Sequence, residues 1–259
     1  MKLKLWENKI PFFTEGMETP NEMTTYLIDT EKPLPAVIVL PGGGYGMRSP
    51  LEAEPVARFF NSRGFHSMVV EYRVAPNRHP APLADAQRAI KLVRYHAEEW
   101  RIDPNKIIIL GFSAGGHLAA STAVLVDICP AQDEVGQMNA RPNGAVLCYP
   151  VISLEESFGH VGSGENLLGE EYNQRKSELS LQNRVNENTP PCFLWHTADD
   201  EAVPVQNSLA FAQELRKHKV PYELHIFPHG AHGLDLALGM SDVSKWAGLC
   251  ADWIINNFK

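Results

Sequence analysis

Residues 107–121 read IIILGFSAGGHLAAS. Four large aliphatic residues with no polar alternation describe a strand buried on both faces, the signature of a central parallel strand. Gly111 ends that strand, and HLAAS opens a helix. Ser113 is therefore carried on a tight strand-to-helix corner, between two glycines in the pattern G-x-S-x-G. Such a corner is either a plain turn or a nucleophile elbow that lifts a serine hydroxyl out of the sheet. The pentapeptide alone does not choose between them; the rest of the chain has to.

Outward from this corner, strand-like and helix-like segments alternate, the pattern of a mostly parallel sheet with helices on both faces. AVIVL (36–40), FHSMVVEYRV (65–74), GAVLCYPVI (144–152), PCFLWHT (191–197) and YELHIF (222–227) read as strands. SPLEAEPVARFFNSRG (49–64), NSLAFAQELRKHKV (207–220) and VSKWAGLCADWIINNF (243–258) read as helices, with Gly64 as a stop. Leu83, Ala86, Ile90, Val93, Ala97 and Trp100 recur at steps of three or four, giving one apolar face of an amphipathic helix. DPNK (103–106) reads as a turn, and LKLW and TTYLI near the start as antiparallel edge strands. Residues 153–188 break the rhythm with GHVGSGEN and few large apolar residues. They read as a polar excursion over one end of the sheet within a single domain spanning 1–259.

The chain has 259 residues and a formal charge of −8, and no long basic cluster. Nucleic acid and anionic membrane are therefore not expected partners. No apolar run reaches the ~18 residues that a bilayer span needs. MKLKLWENKIPFF lacks the apolar centre of a secretion signal, and the four cysteines are scattered without C-x-x-C spacing. The expectation is a cytoplasmic protein with reduced thiols.

A serine hydroxyl becomes a useful nucleophile only beside a base and beneath donors for the developing oxyanion. Candidates for each follow a strand. Pro41-Gly42-Gly43-Gly44-Tyr45 follows AVIVL and leaves backbone N–H groups unobstructed. A phosphate-binding reading fails, because neither a following Lys-Ser/Thr nor G-x-G-x-x-G completes it. The expected oxyanion donors are the N–H groups of Gly43, Gly44 and Ala114, the last aided by a helix N-terminus. HTADDEAVP follows PCFLW, placing Asp199 and Asp200 at the carboxyl end of a strand, with Glu201 a weaker third. HIFPHGAHG supplies His232, flanked by Ala231 and Gly233. The order Ser113, acid, His232 is the α/β-hydrolase order. Tyr45 and Phe112 flank the oxyanion elements and are the candidates to wall a small acyl pocket, with core packing an equal reading for Phe112. His117 reads as packing within the elbow helix.

With these pieces in place the chain resembles the α/β-hydrolase esterases, most of all the small bacterial carboxylesterases of the acetyl and acetylxylan esterase type. The resemblance covers most of 35–259. GFSAGGHLA matches the elbow, PGGGY the HGGG-type loop (with Pro41 where many members have His), HTADDEAVP the D-x-x-V-P pattern, and PHGAHG the G-x-H-G region. The resemblance selects Asp200 as triad acid and His232 over His229. It implies a short-acyl serine esterase without cofactor or metal, acting on a small-molecule ester such as an acetylated sugar; a homodimer stays open.

Other readings compete. His225, His229 and His232 form H-x3-H-x2-H, but a strand and a loop would have to bring them together, without an H-E-x-x-H helix. A binding module on a hydrolase scaffold would be expected to lack nucleophile or base. An oligopeptidase would carry a large extra domain, and a long-chain lipase an apolar cap.

Overall fold

The computed structural model describes every residue except 8, 18, 19, 156 and 259. Among the described residues, eight strands form one sheet: β1 (Lys2–Lys4), β2 (Glu22–Tyr26), β3 (Leu34–Leu40), β4 (His66–Glu71), β5 (Ile102–Phe112), β6 (Gly144–Cys148), β7 (Cys192–Thr197) and β8 (Tyr222–Phe227). Their order is β1-β2-β4-β3-β5-β6-β7-β8. β1 and β2 add on antiparallel at one edge; the other pairings are parallel. This is the mostly parallel sheet that the alternation predicts, in the α/β-hydrolase architecture that the resemblance implies.

Around the sheet lie α1 (Glu54–Ser62), α2 (Ala81–Tyr95), α3 (Ser113–Val124), α4 (Val161–Leu168), α5 (Tyr172–Arg175), α6 (Gln206–Lys217) and α7 (Lys245–Asn257). Strand side chains alternate between two cores, which explains the unbroken apolar runs. Ala36, Ile38, Leu40, Ile107 and Ile109 face the core beneath α2, α3 and α6. Val37, Val39, Ile108, Leu110 and Phe112 face the core shared with α1 and α7. All four cysteines are buried free thiols. Among the described residues, no helix is long and apolar enough to cross a membrane.

Three local expectations are corrected. The helix read through Trp100 ends at Tyr95; Ala97 and Trp100 stay buried in the turn that follows. Its polar face is also covered: Asp85 pairs with Arg73 at 2.8 Å, Arg88 with Asp133 at 2.6 Å and Lys91 with Asp127 at 2.8 Å. Periodicity reports which face is apolar, and charges paired across segments let the other face be buried too.

DPNK lies inside β5, because Ile102 already pairs with Leu34 before the register shifts towards Ala36. Its turn chemistry survives as the Asn105 N–H donating to Asp103 Oδ1 at 2.9 Å. The stretch 153–188 is less polar in effect than in composition. Leu154, Leu167, Leu168, Tyr172, Leu179, Leu181 and Val185 all join the main core, so helices α4 and α5 are anchored to the sheet.

Candidate active site

The loops at the carboxyl ends of β3, β5, β6, β7 and β8 converge on Ser113. The serine is the first residue of α3 and has φ +51°, a left-handed backbone that few non-glycine residues adopt. The corner closes only because Gly115 has no side chain: a Cβ there would lie 2.1 Å from the carbonyl oxygen of Leu40. Ser113 is buried but for 8% of its surface.

His232 Nε2 lies 2.8 Å from Ser113 Oγ, and His232 Nδ1 lies 2.7 Å from Asp200 Oδ2. The other Asp200 oxygen accepts the N–H groups of Ala202 and Val203 at 3.0 and 2.9 Å. Burial works against this carboxylate. Hydrogen bonds from His196, His232 and Val203 N–H outweigh burial and hold its carboxyl well below the ordinary range. Asp199 turns outward and takes His229 Nδ1 at 3.0 Å and Gly230 N–H at 2.7 Å, and Glu201 is exposed. The structure thus brings Ser113, Asp200 and His232 together and sends the competing acid elsewhere.

The glycine loop comes beside the elbow. Gly43 has φ +130°, and a Cβ on it would collide with Met47 O at 2.4 Å. Gly42 N–H is already taken by Glu52 Oε2 at 2.6 Å. Among the described residues, nothing accepts from the N–H groups of Gly43, Gly44 or Ala114. That leaves these three N–H groups available to a substrate oxygen.

Tyr45 and Phe112 are placed differently from the expectation that they wall an acyl pocket. Tyr45 is 1% exposed, and its hydroxyl is 2.8 Å from His117 Nδ1. Phe112 is fully buried against Tyr149 and Trp246. Alternation along β5 turns Phe112 away from the elbow tip into the α1/α7 core. His117 packs in the elbow helix as read, and it also donates from Nε2 to Leu179 O at 2.8 Å. Tyr45, the elbow helix and the 153–188 stretch are thereby tied by one buried imidazole.

The histidines of H-x3-H-x2-H do not converge: His225 bonds Glu223 at 2.7 Å, His229 bonds Asp199 and His232 bonds Asp200. Among the described residues, no cluster of three His, Cys, Asp or Glu side chains is arranged for a metal.

Four nearby residues escape sequence reasoning. Glu52 is buried beneath the glycine loop, where the sequence shows only an acid ahead of a helix. Tyr149, at the end of β6, gives its hydroxyl to Glu52 Oε1 at 2.6 Å and lays its ring against His232 with centroids 5.0 Å apart. His160 caps α4, with Nδ1 accepting the Ser163 N–H at 3.1 Å. Asn166 of the same helix donates to Gly44 O at 3.0 Å, so α4 sits over the glycine loop. Only fold-level contacts mark these roles.

The chain matches the BD-FAE family over residues 25–215. It is 37% identical over 253 residues to endo-1,4-beta-xylanase B of Butyrivibrio fibrisolvens, covering 94% of this chain and 39% of that protein. It is 36% identical over 204 residues to an acetylxylan esterase of Xylanibacter ruminicola, covering 76% and 40% respectively. The chain thus spans about two-fifths of the length of these curated relatives. The crystal structure of an acetyl ester-xyloside bifunctional hydrolase from Caldicellulosiruptor lactoaceticus is 49% identical, with TM-score 0.94, covering 99% of this chain and 96% of that one. With its sheet, its elbow and these likenesses taken together, the chain belongs to the BD-FAE family, within the α/β-hydrolase esterases.

Proposed function

We propose that this chain is a serine esterase that removes short acyl groups, acetyl above all, from sugars or oligosaccharides. The observation that carries the reading is the continuous relay Ser113 Oγ, His232, Asp200 at 2.8 and 2.7 Å. In the proposed reaction His232 Nε2 takes the Ser113 proton as Oγ attacks the ester carbonyl. Asp200 fixes the histidine tautomer through Nδ1–H and stabilises the imidazolium. The N–H groups of Gly43, Gly44 and Ala114 receive the oxyanion. Collapse expels the alcohol, protonated by His232, and leaves an acyl-serine. Water, deprotonated by the same histidine, then releases the acid and restores Ser113.

The sugar part of the proposal draws on the relatives' names and on α4. His160 Nδ1 accepts a backbone N–H, so in the neutral ring the proton is on Nε2. Burial, with His232 nearby, pushes this imidazole down from its ordinary value, against Asp200. Its Nε2–H has no partner among the described residues and is free to donate to a hydroxyl of the alcohol. The short-acyl part rests on the relatives, since Tyr45 and Phe112 do not form a pocket. Turnover across acyl lengths, with acetylated xylose and xylo-oligosaccharides alongside, tests the proposal. A maximum at acetyl or propionyl is expected; a maximum at octanoyl or longer, with acetylated sugars inert, contradicts it.

A further inference from the structure

We infer that Glu52 is a positioning residue that joins the oxyanion loop to the histidine loop and supplies a second negative charge for the His232 imidazolium. The inference rests on the proposed esterase mechanism. Glu52 is 4% exposed, and each of its oxygens is engaged. Oε2 accepts Gly42 N–H at 2.6 Å, and Oε1 accepts the Tyr149 hydroxyl at 2.6 Å. Tyr149 Oη in turn accepts Asp235 N–H at 2.9 Å, three residues beyond His232. One carboxylate therefore spans two separate loops of the site. A Cβ on Gly42 would lie 2.7 Å from Glu52 Oε2 and 3.1 Å from Ser113 Cβ, so carboxylate and nucleophile flank one backbone position.

This bond pattern calls for an ionised carboxylate. Tyr149 Oη already receives the Asp235 N–H, and among the described residues its own proton has Glu52 as its acceptor. Burial, with Asp235 adding to it, raises the Glu52 carboxyl above its ordinary value, against the opposing pull of Tyr149, Gly42 N–H and the charge on His232. His232 faces Asp200 and His160; Glu52 faces Tyr149, Asp235 and His232, with Tyr72 and Cys148 behind it. Of the ionised groups, Asp200 meets Nδ1 directly and Glu52 acts from beneath the glycine loop. Pro41 has no polar side chain to brace that loop. Glu52 does so from below, and the Tyr72 hydroxyl donates to Pro41 O at 2.5 Å.

Glu52→Gln keeps the shape and removes the charge; Tyr149→Phe keeps the charge and cuts the link to Asp235. Both are assayed on 4-nitrophenyl acetate for kcat and KM, and for the pH profile of kcat/KM. Glu52→Gln is expected to lower kcat at least ~10-fold with little change in KM, less than the loss of an oxyanion donor. Its acid limb is expected to move to lower pH by about half a unit or more, because the imidazolium loses a counter-charge. Tyr149→Phe is expected to lower kcat and leave the acid limb in place. An acid limb that stays put in Glu52→Gln, or a parental kcat in Tyr149→Phe, overturns the inference. Tyr149→Phe decides alone if Glu52→Gln does not fold. Failure of the esterase reading looks different: a parent protein inert toward the ester, or one whose activity survives Ser113→Ala.

Discussion

Asp200 accepts from His232 Nδ1 at 2.7 Å, whereas its chain neighbour Asp199 takes His229 at 3.0 Å on the exposed side. Two adjacent carboxylates are thus split between the interior and the surface by the turn that follows β7. Removing each has a different expected outcome. Asp200→Asn should reduce kcat by about 10⁴, since the amide leaves His232 in the wrong tautomer. Asp199→Asn should stay within about 3-fold, the scale of an exposed pair. Equal losses in steady-state assays would contradict the assignment.

The elbow sets a steric demand that is independent of chemistry. Gly115→Ala would force a methyl carbon against Leu40 O at 2.1 Å, backbone against backbone. The expected cost is about 2–3 kcal/mol in urea denaturation, because a backbone oxygen cannot move aside as a flexible side chain would. A variant as stable as the parent would show that the strand and helix approach less closely than described.

His117 makes a pH prediction. It is fully buried, and burial, opposed by its bond to Leu179 O, lowers its imidazole from 6.5 to about 4. An unfolded chain binds this proton at the higher pH and the folded one only at the lower. Stability therefore falls as pH drops from about 6.5 to about 4, then levels off, with His117 contributing up to about 3 kcal/mol. His79, lowered to about 4 by burial and by Arg175, acts in the same sense. His117→Gln should remove part of this slope in denaturation series from pH 7 to pH 4. An unchanged slope would mean that His117 titrates normally in the fold.

The proposed contact of His160 with the alcohol half can be tested by substrate choice. His160→Ala should raise KM about 3- to 10-fold for acetylated xylose, the value of one hydrogen bond. The rise for 4-nitrophenyl acetate, whose alcohol half lacks hydroxyls, should be smaller. Equal rises for the two esters would remove His160 from alcohol recognition.

What was legible in the sequence was what local chain geometry dictates. IIIL followed by GFSAGG specifies strand, corner and helix within a dozen residues, and each further candidate follows its own strand, so the sheet alone gathers them. The gathering of the 199–200 acids and His232 near Ser113 was legible for that reason, and the choice of Asp200 over Asp199 came from the resemblance through D-x-x-V-P. Glu52 was not legible, because an acid ahead of a helix looks the same whether it faces water or the underside of a loop. Phe112 stayed open between pocket and core, and Tyr45 was assigned to the pocket, because adjacency to a site in sequence says little about side-chain direction. A strand turns alternate residues away, and the left-handed φ of +58° at Tyr45 takes part in directing its ring inward. The buried polar face of α2 depends on Arg73, Asp127 and Asp133, all outside that helix.

The central claim is that Ser113 is the nucleophile, and turnover of 4-nitrophenyl acetate by Ser113→Ala against the parent tests it most directly. The account predicts a loss of kcat on the order of 10⁴ to 10⁶, with the fold intact by circular dichroism. A Ser113→Ala protein that hydrolyses the ester near the parent rate would contradict it.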